Sequence, residues 1–280
     1  MSYILTNEKL DEFEKNLREE EYRAATTEKY LRELRMFQRW LGGRAVDKGI
    51  AGEFKAYLQK GDYAPCTVNS KLSALNAFFR FAGWEECRLK FLRIQKKMFR
   101  NQSKELSRAE YERLLKAARA MGKEKLALLM ESICGTGIRV SEVSYITVEA
   151  ARQGRAEVNL KGKIRVIFLP ERLCHKLLRY AGEQQINSGG IFLTGNGKKI
   201  SRKQIWRDMK ALCKSAEVEE TKAFPHNLRH LFATVFYKVN GDIVQLADML
   251  GHSSIETTRI YLQTTEEEHR RCLESMKLVP

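Results

Sequence analysis

Apolar residues recur at intervals of three and four through most of the chain, and this helical period constrains its fold more than any other feature. In "TTEKYLRELRMFQRWL" the apolar stripe consists of Tyr30, Leu34, Phe37 and Leu41, and "TVNSKLSALNAFFRFAGW" carries a second stripe. A stripe of this kind buries one face of a helix against its neighbours. The first hundred residues are therefore predicted to form a small helical domain.

The period changes once, in "AEVNLKGKIRVIFLP". Over residues 164–169, Ile, Val and Phe alternate with Arg, Ile and Leu, which is the two-residue repeat of a β-strand. The Lys-Gly-Lys at 161–163 supplies the turn of a hairpin. Helical patterns resume afterwards, apart from a glycine-rich loop at 189–197. The sequence thus predicts a mainly α fold with a small β-hairpin.

A basic segment separates the two helical regions. Residues 88–104 carry seven basic side chains and no acidic one, and the following helix has Ser107 as its N-cap with Glu110 at capping-box spacing. We therefore divide the chain into a helical domain at 1–96, a basic linker at 97–106 and a mostly helical second domain at 107–280 that ends in a tail helix. A solvated helix end explains the first half of the basic segment equally well. For the second half, a linker that follows phosphates is the better interpretation.

The charge of the chain indicates a polyanionic partner. The 280 residues include 50 Lys and Arg against 35 Asp and Glu, a formal net charge of +15, and the pI is about 9.6. Such an excess of positive charge is typical of nucleic-acid binding. The six cysteines form no CxxC pair, so we expect reduced thiols and a cytoplasmic location. No apolar stretch approaches the roughly 20 residues of a membrane span, and we expect no membrane partner.

Four stretches of the second region place polar side chains at turns or helix starts. In "GTGIRVSEV", Gly135 and Gly137 permit a tight turn, and Arg139 is predicted to begin a helix. The hairpin turn carries Lys161 and Lys163.

The other two stretches lie near the C-terminus. In "PHNLRH", Pro225 is predicted to start a helix on which His226 and Arg229, three residues apart, share one face. In "GHSSIETTRIYLQ", Ser253 and Glu256 have capping-box spacing, and Tyr261 follows His252 by nine residues, two turns into the predicted helix.

Together these residue types meet the needs of one reaction, the transfer of a phosphodiester to a protein hydroxyl. Two arginines, Arg139 and Arg229, can grip the phosphate oxygens with paired N–H donors. A tyrosine with an intrinsic pKa of about 10 needs a base or a cationic setting, and His226 is a candidate base. His252 can donate a further hydrogen bond to the phosphate, and a hairpin lysine can protonate the departing 5′ oxygen. No metal ion or other cofactor is needed, because a phosphotyrosyl bond retains the energy for rejoining.

A zinc site is the alternative interpretation of His226 and His230, which are four residues apart. The metalloprotease motif requires Glu directly after the first histidine, whereas Asn227 stands there, and no third ligand lies nearby in sequence. We therefore expect no metal site and interpret His230 as a core histidine.

In this order, "GTGIRVSEV", the lysine-bearing hairpin, "HNLRH" with "LFAT", "LGHSSIETT" and "YL" resemble the tyrosine recombinase family of phage-type integrases and Xer-type recombinases. The match covers residues 107–265, and the first helices are similar to the family's core-binding domain. The resemblance implies a helical core-DNA-binding domain and a mostly helical catalytic domain that clamp double-stranded DNA. It also implies a 3′-phosphotyrosyl intermediate, short inverted core sites and a homo-tetramer on DNA, built from a protein that is monomeric in solution.

The resemblance also implies roles for individual residues. It assigns the arginine pair to Arg139 and Arg229, the two histidines to His226 and His252, the nucleophile to Tyr261 and the bracing acidic residue to Glu142. For the general acid it favours Lys161, with Lys163 as the alternative. The tail helix, with Leu273 and Met276 on one side, corresponds to a segment that docks on a neighbouring subunit; a solvated chain end is the alternative.

The predicted function is site-specific DNA recombination in integration or excision, inversion or dimer resolution. The predicted DNA-binding residues lie on two helices and the basic segment at 88–104, and they are Lys71, Asn76, Lys96, Lys97, Arg100, Arg202, Lys203 and Arg207. A solvated helix face is the alternative for any one of them. Two rival functions remain at this stage: DNA relaxation by a type IB topoisomerase, and DNA binding without catalysis, although the intact set of polar residues argues against the second.

Overall fold

The chain falls into two compact units, Met1–Lys96 and Lys97–Pro280, each with its own hydrophobic core. The computed structural model describes residues 2–94, 102–160, 163–261 and 266–276. Four residues with predicted roles, Lys96, Lys97, Arg100 and Lys161, lie outside the described residues, and so does the side chain of Lys163.

The N-terminal unit is built from helices that pack their predicted apolar stripes together. Its described elements are α1 (Asn7–Glu19), α2 (Ala24–Leu41), α3 (Lys48–Lys60), α4 (Pro65–Phe81) and a 3-10 turn (Glu85–Cys87). Leu34 and Phe37 of α2 and Leu75 and Phe78 of α4 are completely buried. The prediction of a small helical domain is therefore confirmed.

Two residues that were predicted to contact DNA from α4 instead bind groups within the N-terminal unit. The Asn76 side chain donates a hydrogen bond to the Leu89 carbonyl and accepts one from the Leu89 N–H, both at 2.8 Å, and the residue is 8% exposed. The Lys71 ammonium pairs with the buried Glu33 carboxylate and lies 4.8 Å from the centre of the Tyr63 ring. In this structure both side chains bind internal partners, as buried polar groups do, and the prediction that Asn76 and Lys71 read bases stays a prediction.

The second unit is helical apart from one hairpin within its described residues. After a 3-10 turn (Gln102–Lys104), its elements are α5 (Arg108–Ala120), α6 (Glu124–Thr136), a 3-10 turn (Val143–Tyr145), α7 (Val148–Gln153), β1 (Arg155–Leu160), β2 (Lys163–Phe168), α8 (Glu171–Glu183), α9 (Arg202–Lys210), α10 (Cys213–Ala216), α11 (Pro225–Asn240), α12 (Ile243–Leu250), α13 (Ile255–Thr258), a 3-10 turn (Arg259–Tyr261) and α14 (Glu266–Ser275). The Ser107–Glu110 capping box at the start of α5 is formed as predicted.

The hairpin matches the predicted change of period. β1 and β2 are antiparallel, with Arg155 opposite Phe168 and Leu160 opposite Lys163. Side chains of a strand alternate between its two faces, so Ile167 is buried with the core while Phe168 is exposed. Arg165 shares the inward face with Ile167, and this position places a guanidinium beside the site described below.

The core of the second unit brings distant segments of the chain together. α6 is buried along Leu126–Met130 and packs against α5, α8 and α11. This contact with α11 places the C-terminus of α6 next to the first turns of α11, which carry "PHNLRH". No helix in the described ranges combines the length and apolar character that crossing a membrane requires.

Candidate active site

Arg139 lies in a turn, three residues after the end of α6, whereas the sequence predicted that Arg139 begins a helix. Gly137 ends α6 in the left-handed region, at φ +66°. The Arg139 N–H then donates to Glu142 Oε2 at 3.0 Å, and the Glu142 N–H donates to the Arg139 carbonyl at 2.7 Å. These bonds close a tight turn before the 3-10 segment, so the helix prediction at Arg139 is wrong. Only Gly137 of the two glycines has the conformation that the turn requires.

Glu142 holds two guanidinium groups. Its carboxylate is only 1% exposed, and its Oε1 accepts from Arg139 Nη1 at 2.9 Å while Oε2 accepts from Arg165 Nη2 at 2.6 Å. A buried carboxylate is costly unless it is paired and hydrogen-bonded. Glu142 therefore holds the guanidinium groups of Arg139 and Arg165 in place, and its bracing role in the active site stays a prediction.

Arg229 joins three segments of the site from inside the protein. α11 begins at Pro225 as predicted, and Arg229 lies one turn further on, 3% exposed. Its Nη1 donates to the Gly137 carbonyl, and its Nη2 donates to the Leu250 carbonyl at 2.8 Å. Burial, together with the positive charge of Arg139, lowers the pKa of Arg229 to about 10. The group still carries its charge at neutral pH.

His252 lies directly against Arg229. Gly251 ends α12 at φ +62°, and His252 Nε2 is then 2.9 Å from Arg229 Nη2, while Nδ1 is 2.9 Å from Thr258 Oγ1. Because a guanidinium can only donate, Nε2 is the acceptor and Nδ1 carries the proton. Burial and then the charges of Arg229, Arg139 and Arg165 lower the pKa of His252 to about 4. The sequence predicted that His252 donates a hydrogen bond to the phosphate. Donation from Nε2 would require this nitrogen to be protonated, and the neighbouring cations oppose that protonation.

Tyr261 ends a short helical segment and is buried. Ser254, rather than the predicted Ser253, caps α13 by accepting from the Glu256 N–H at 3.2 Å. The capping-box prediction fails because the His252 N–H still bonds back to Ala247, which delays the next helix by one residue. Only four residues form α13, and Tyr261 ends the 3-10 turn that follows it.

The phenol of Tyr261 sits among the polar groups of the site, and the residue is 3% exposed. Its ring lies 6.1 Å from that of His252, nearly parallel to it, and 5.0 Å from that of His230. Tyr261 is also close enough to Arg229 to interact with it electrostatically. The nucleophile predicted from the sequence thus lies beside one predicted arginine and one predicted histidine.

His226 occupies the first turn of α11 and is exposed. Desolvation, followed by the charges of Arg229 and His230, lowers its pKa. A lowered pKa keeps the imidazole neutral near pH 7, which is the form that can accept a proton.

Two residues that the sequence analysis did not assign to the site belong to it. Arg165 donates to Glu142, and its Nη1 also lies 3.3 Å from the Met249 carbonyl. His230, predicted as a core histidine, packs on Tyr261 with its Nε2 3.3 Å from Glu105 Oε1. The inward register of Arg165 among apolar residues of β2 was the signal available in the sequence. No comparable signal marked the packing of His230 on Tyr261.

A cleft of about 430 Å³ opens beside these groups, lined in part by Arg139, Glu142, Arg165, Gly251 and His252. Arg139 is the more accessible of the two predicted arginines, since 38% of its side chain is exposed. Guanidinium groups on the wall of a cleft are suited to binding a phosphate. The remaining predicted DNA contacts, Arg202, Lys203 and Arg207, are exposed on α9.

Comparisons with known proteins point to one family. Residues 104–268 match the phage integrase family, and residues 10–86 match the N-terminal SAM-like domain of phage integrases. The tyrosine recombinase XerA of Thermococcus kodakarensis is 31% identical over 98% of this chain and 96% of its own length. The tyrosine recombinase XerD of Vibrio cholerae is 29% identical over 77% of this chain and 76% of its own length.

A solved structure shares the fold. A lambda integrase dimer bound to a core site superposes with a TM-score of 0.72 at 18% identity, covering 93% of this chain and 95% of that one. The family matches together span most of both units. The chain therefore belongs to the phage integrase family and is a tyrosine recombinase.

Proposed function

We propose that this site-specific recombinase cleaves and rejoins DNA through a 3′-phosphotyrosyl intermediate on Tyr261. The observation that carries the proposal is the convergence of Tyr261, His252 and Arg229: the Tyr261 ring lies 6.1 Å from that of His252, whose Nε2 is 2.9 Å from Arg229 Nη2. Arg229 and Arg139 are cations of this site. The same cations are placed to stabilise the charge on a pentacoordinate phosphate.

In the cleavage step, Tyr261 Oη forms a bond to phosphorus while the bond from phosphorus to the 5′ oxygen breaks. His226 takes the phenolic proton, and a hairpin lysine gives a proton to the departing oxygen. Rejoining is the reverse: a 5′ hydroxyl attacks the phosphotyrosine and releases Tyr261. Neither direction consumes a cofactor, because one phosphodiester is exchanged for another.

The binding of DNA has to change the contacts of both Arg139 and Arg229. Arg139 Nη2 donates to the Gly251 carbonyl at 3.1 Å, and a phosphate in the cleft would replace that carbonyl as acceptor. Tyr261 does not line the cleft, so the segment from His252 to Tyr261 has to shift before the hydroxyl reaches phosphorus. A shift of this segment also frees His252 from Arg229 and allows the imidazole to take a proton next to the anion.

The partner that we propose is double-stranded DNA with short inverted core sites, bound by a homo-tetramer that assembles from monomers. We assign DNA binding to the helical N-terminal domain at 1–96 and to the linker at 97–106, and catalysis to 107–280. The net charge of +15 supports a polyanionic ligand. Leu273 and Met276 are 57% and 52% exposed at α14, which leaves an apolar edge for a neighbouring subunit. Free cysteines in the described part of the chain fit the reducing cytoplasm.

Covalent capture of DNA tests the proposal. Nicked duplexes from a random-sequence library are incubated with the protein, and adducts that survive denaturation are isolated and sequenced. Wild-type protein should yield adducts at an enriched core site, whereas Tyr261→Phe should yield none and still shift the same duplex in a gel. An adduct that persists in Tyr261→Phe would remove Tyr261 from this role. Relaxation of supercoiled plasmids that lack the site would instead favour topoisomerase activity.

The lysine is tested with a better leaving group. A duplex with sulfur in place of the bridging 5′ oxygen no longer needs a general acid, so it should restore cleavage to the variant that lost one. We expect rescue of Lys161→Ala, with Lys163→Ala as the matched alternative. If both variants cleave the ordinary duplex at the wild-type rate, the acid lies elsewhere.

A further inference from the structure

Arg165 is a cation of the site that has no role in the chemistry proposed above. It lies in the middle of β2 on the inward face, and 14% of its side chain is exposed. A partly buried arginine loses solvation, and this loss lowers its pKa. Such a group is retained only where its hydrogen bonds compensate for the lost water.

The hydrogen bonds of Arg165 divide the Glu142 carboxylate between two arginines. Arg165 Nη2 takes Oε2 at 2.6 Å, and Arg139 Nη1 takes Oε1 at 2.9 Å. Because Oε2 already accepts from both Arg165 Nη2 and the Arg139 N–H, its acceptor sites are filled and a two-pronged pair with the Arg139 guanidinium is disfavoured. The remaining N–H groups of Arg139 are thereby kept available for another acceptor.

Arg165 also supports the turn that precedes His252. Its Nη1 lies 3.3 Å from the Met249 carbonyl. A Cβ built on Gly251 would approach Arg165 Cδ and Nη1 to 2.5 Å, so the side chain lies flush against the backbone of this turn. Arg139 Nη2 donates to the Gly251 carbonyl in the same turn. Glu142, Arg139 and the Gly251 turn are therefore connected through Arg165.

We propose that Arg165 is a positioning residue: it occupies one oxygen of Glu142 and supports the Gly251 turn, and so holds Arg139 at the cleft for cleavage. This inference rests on the function proposed above. This role does not require Arg165 to touch the phosphate, since Nη1 and Nη2 each have a protein acceptor. Its removal would let Arg139 take both oxygens of the buried Glu142 carboxylate and withdraw from the cleft.

The expected consequence is slow cleavage with nearly normal binding. A displacement of about 1 Å at a catalytic group costs on the order of 100-fold in rate, and we expect this loss for Arg165→Gln. Affinity for DNA should change by no more than about threefold, because phosphate contacts over the whole interface dominate it. Arg165→Lys keeps a cation for Glu142 but loses the planar fork, so its rate should fall by only about tenfold.

The experiment uses the full chain and the nicked duplex captured by the wild-type protein. Single-turnover rates of adduct formation at saturating protein are measured beside dissociation constants for Arg165→Gln, Arg165→Lys, Glu142→Gln and the double variant Arg165→Gln/Glu142→Gln. Arg155→Gln, an exposed arginine on β1, is the matched control and should cleave like the wild type. Because Arg165 acts through Glu142, the double variant should be no slower than the slower single variant.

Three results would overturn the inference: wild-type cleavage by Arg165→Gln, rate losses that multiply in the double variant, or a loss confined to the dissociation constant. If Arg165→Gln does not fold, as judged by its circular dichroism spectrum, Arg165→Lys carries the test, and an unchanged rate overturns the inference. The proposed function fails in a different way. In that case wild-type protein captures no duplex, or Tyr261→Phe still captures it.

Discussion

Gly137 determines the turn that carries Arg139, and Gly137→Ala should therefore destabilise the second unit, whereas Gly135→Ala should not. Gly137 has φ +66°, and an added Cβ would lie 2.5 Å from Phe232 Cδ1 and 3.0 Å from Leu250 Cδ2. Gly135 lies within α6, and an added Cβ there would meet no heavy atom within 4 Å. The two glycines of "GTG" thus differ in both backbone conformation and available space.

The magnitudes follow from these two differences. A left-handed conformation costs alanine about 1–2 kcal/mol, and overpacking against Phe232 and Leu250 adds about 1–3 kcal/mol. The free energy of unfolding should fall by about 2–5 kcal/mol in Gly137→Ala. Gly135→Ala should raise it by about 0.5–1 kcal/mol, because alanine loses less backbone entropy in a helix.

Calorimetric melting of both variants measures the difference. For a unit of this size, 1 kcal/mol shifts Tm by about 2–4 °C, so Gly137→Ala should melt roughly 4–20 °C below the wild type. Gly135→Ala should melt at or slightly above it. Adduct formation should also slow in Gly137→Ala, since the Gly137 carbonyl holds Arg229. Equal melting temperatures for the two variants would refute this account of the turn.

Three further predictions concern other parts of the chain. Asn76→Ala removes both hydrogen bonds to Leu89 and should lower the stability of the N-terminal unit by about 2–4 kcal/mol; an unchanged melting curve with weaker DNA binding would support Asn76 as a DNA contact. Arg207→Ala should reduce the slope of log Kd against log salt by about 1, whereas Arg179→Ala on α8 should not; identical slopes would remove α9 from the interface. The folded pKa of His252 is about 4, below the unfolded value of about 6.5, so the unfolded state takes up the proton first and the wild type loses stability as pH falls from about 6.5 to 4. His252→Gln should flatten this part of the melting profile, and a profile parallel to that of the wild type would count against the buried neutral imidazole.

The local structure of the chain was largely predictable from its sequence. The apolar stripes of α2 and α4, the Ser107 capping box and the alternation in β2 each depend on residues only two to four positions apart. Interactions at this range act in almost any context. The prediction was wrong where two neighbouring residues were almost equally suited to the same role, as Ser253 and Ser254 were to capping α13.

Surface roles were less predictable than elements. Lys71 and Asn76 lie on an amphipathic helix with the composition of a DNA-reading surface, yet both side chains bond within the N-terminal unit. Their partners, Glu33 and Leu89, lie 38 and 13 residues away along the chain. A helical wheel shows which face a residue occupies and leaves its partner undetermined.

The sequence alone determined the helical character of the chain, the position of its hairpin and the residue types of the site, because motif order and periodicity are properties of the linear chain. Only the tertiary structure decided that Arg165 shares Glu142 with Arg139 and that His252 Nε2 accepts from Arg229. It also decided that Tyr261 is buried against the histidines. Contacts of the site join residues up to 112 positions apart, as between Arg139 and Gly251, and they form only when the packing of α6 against α11 brings their segments within hydrogen-bonding distance.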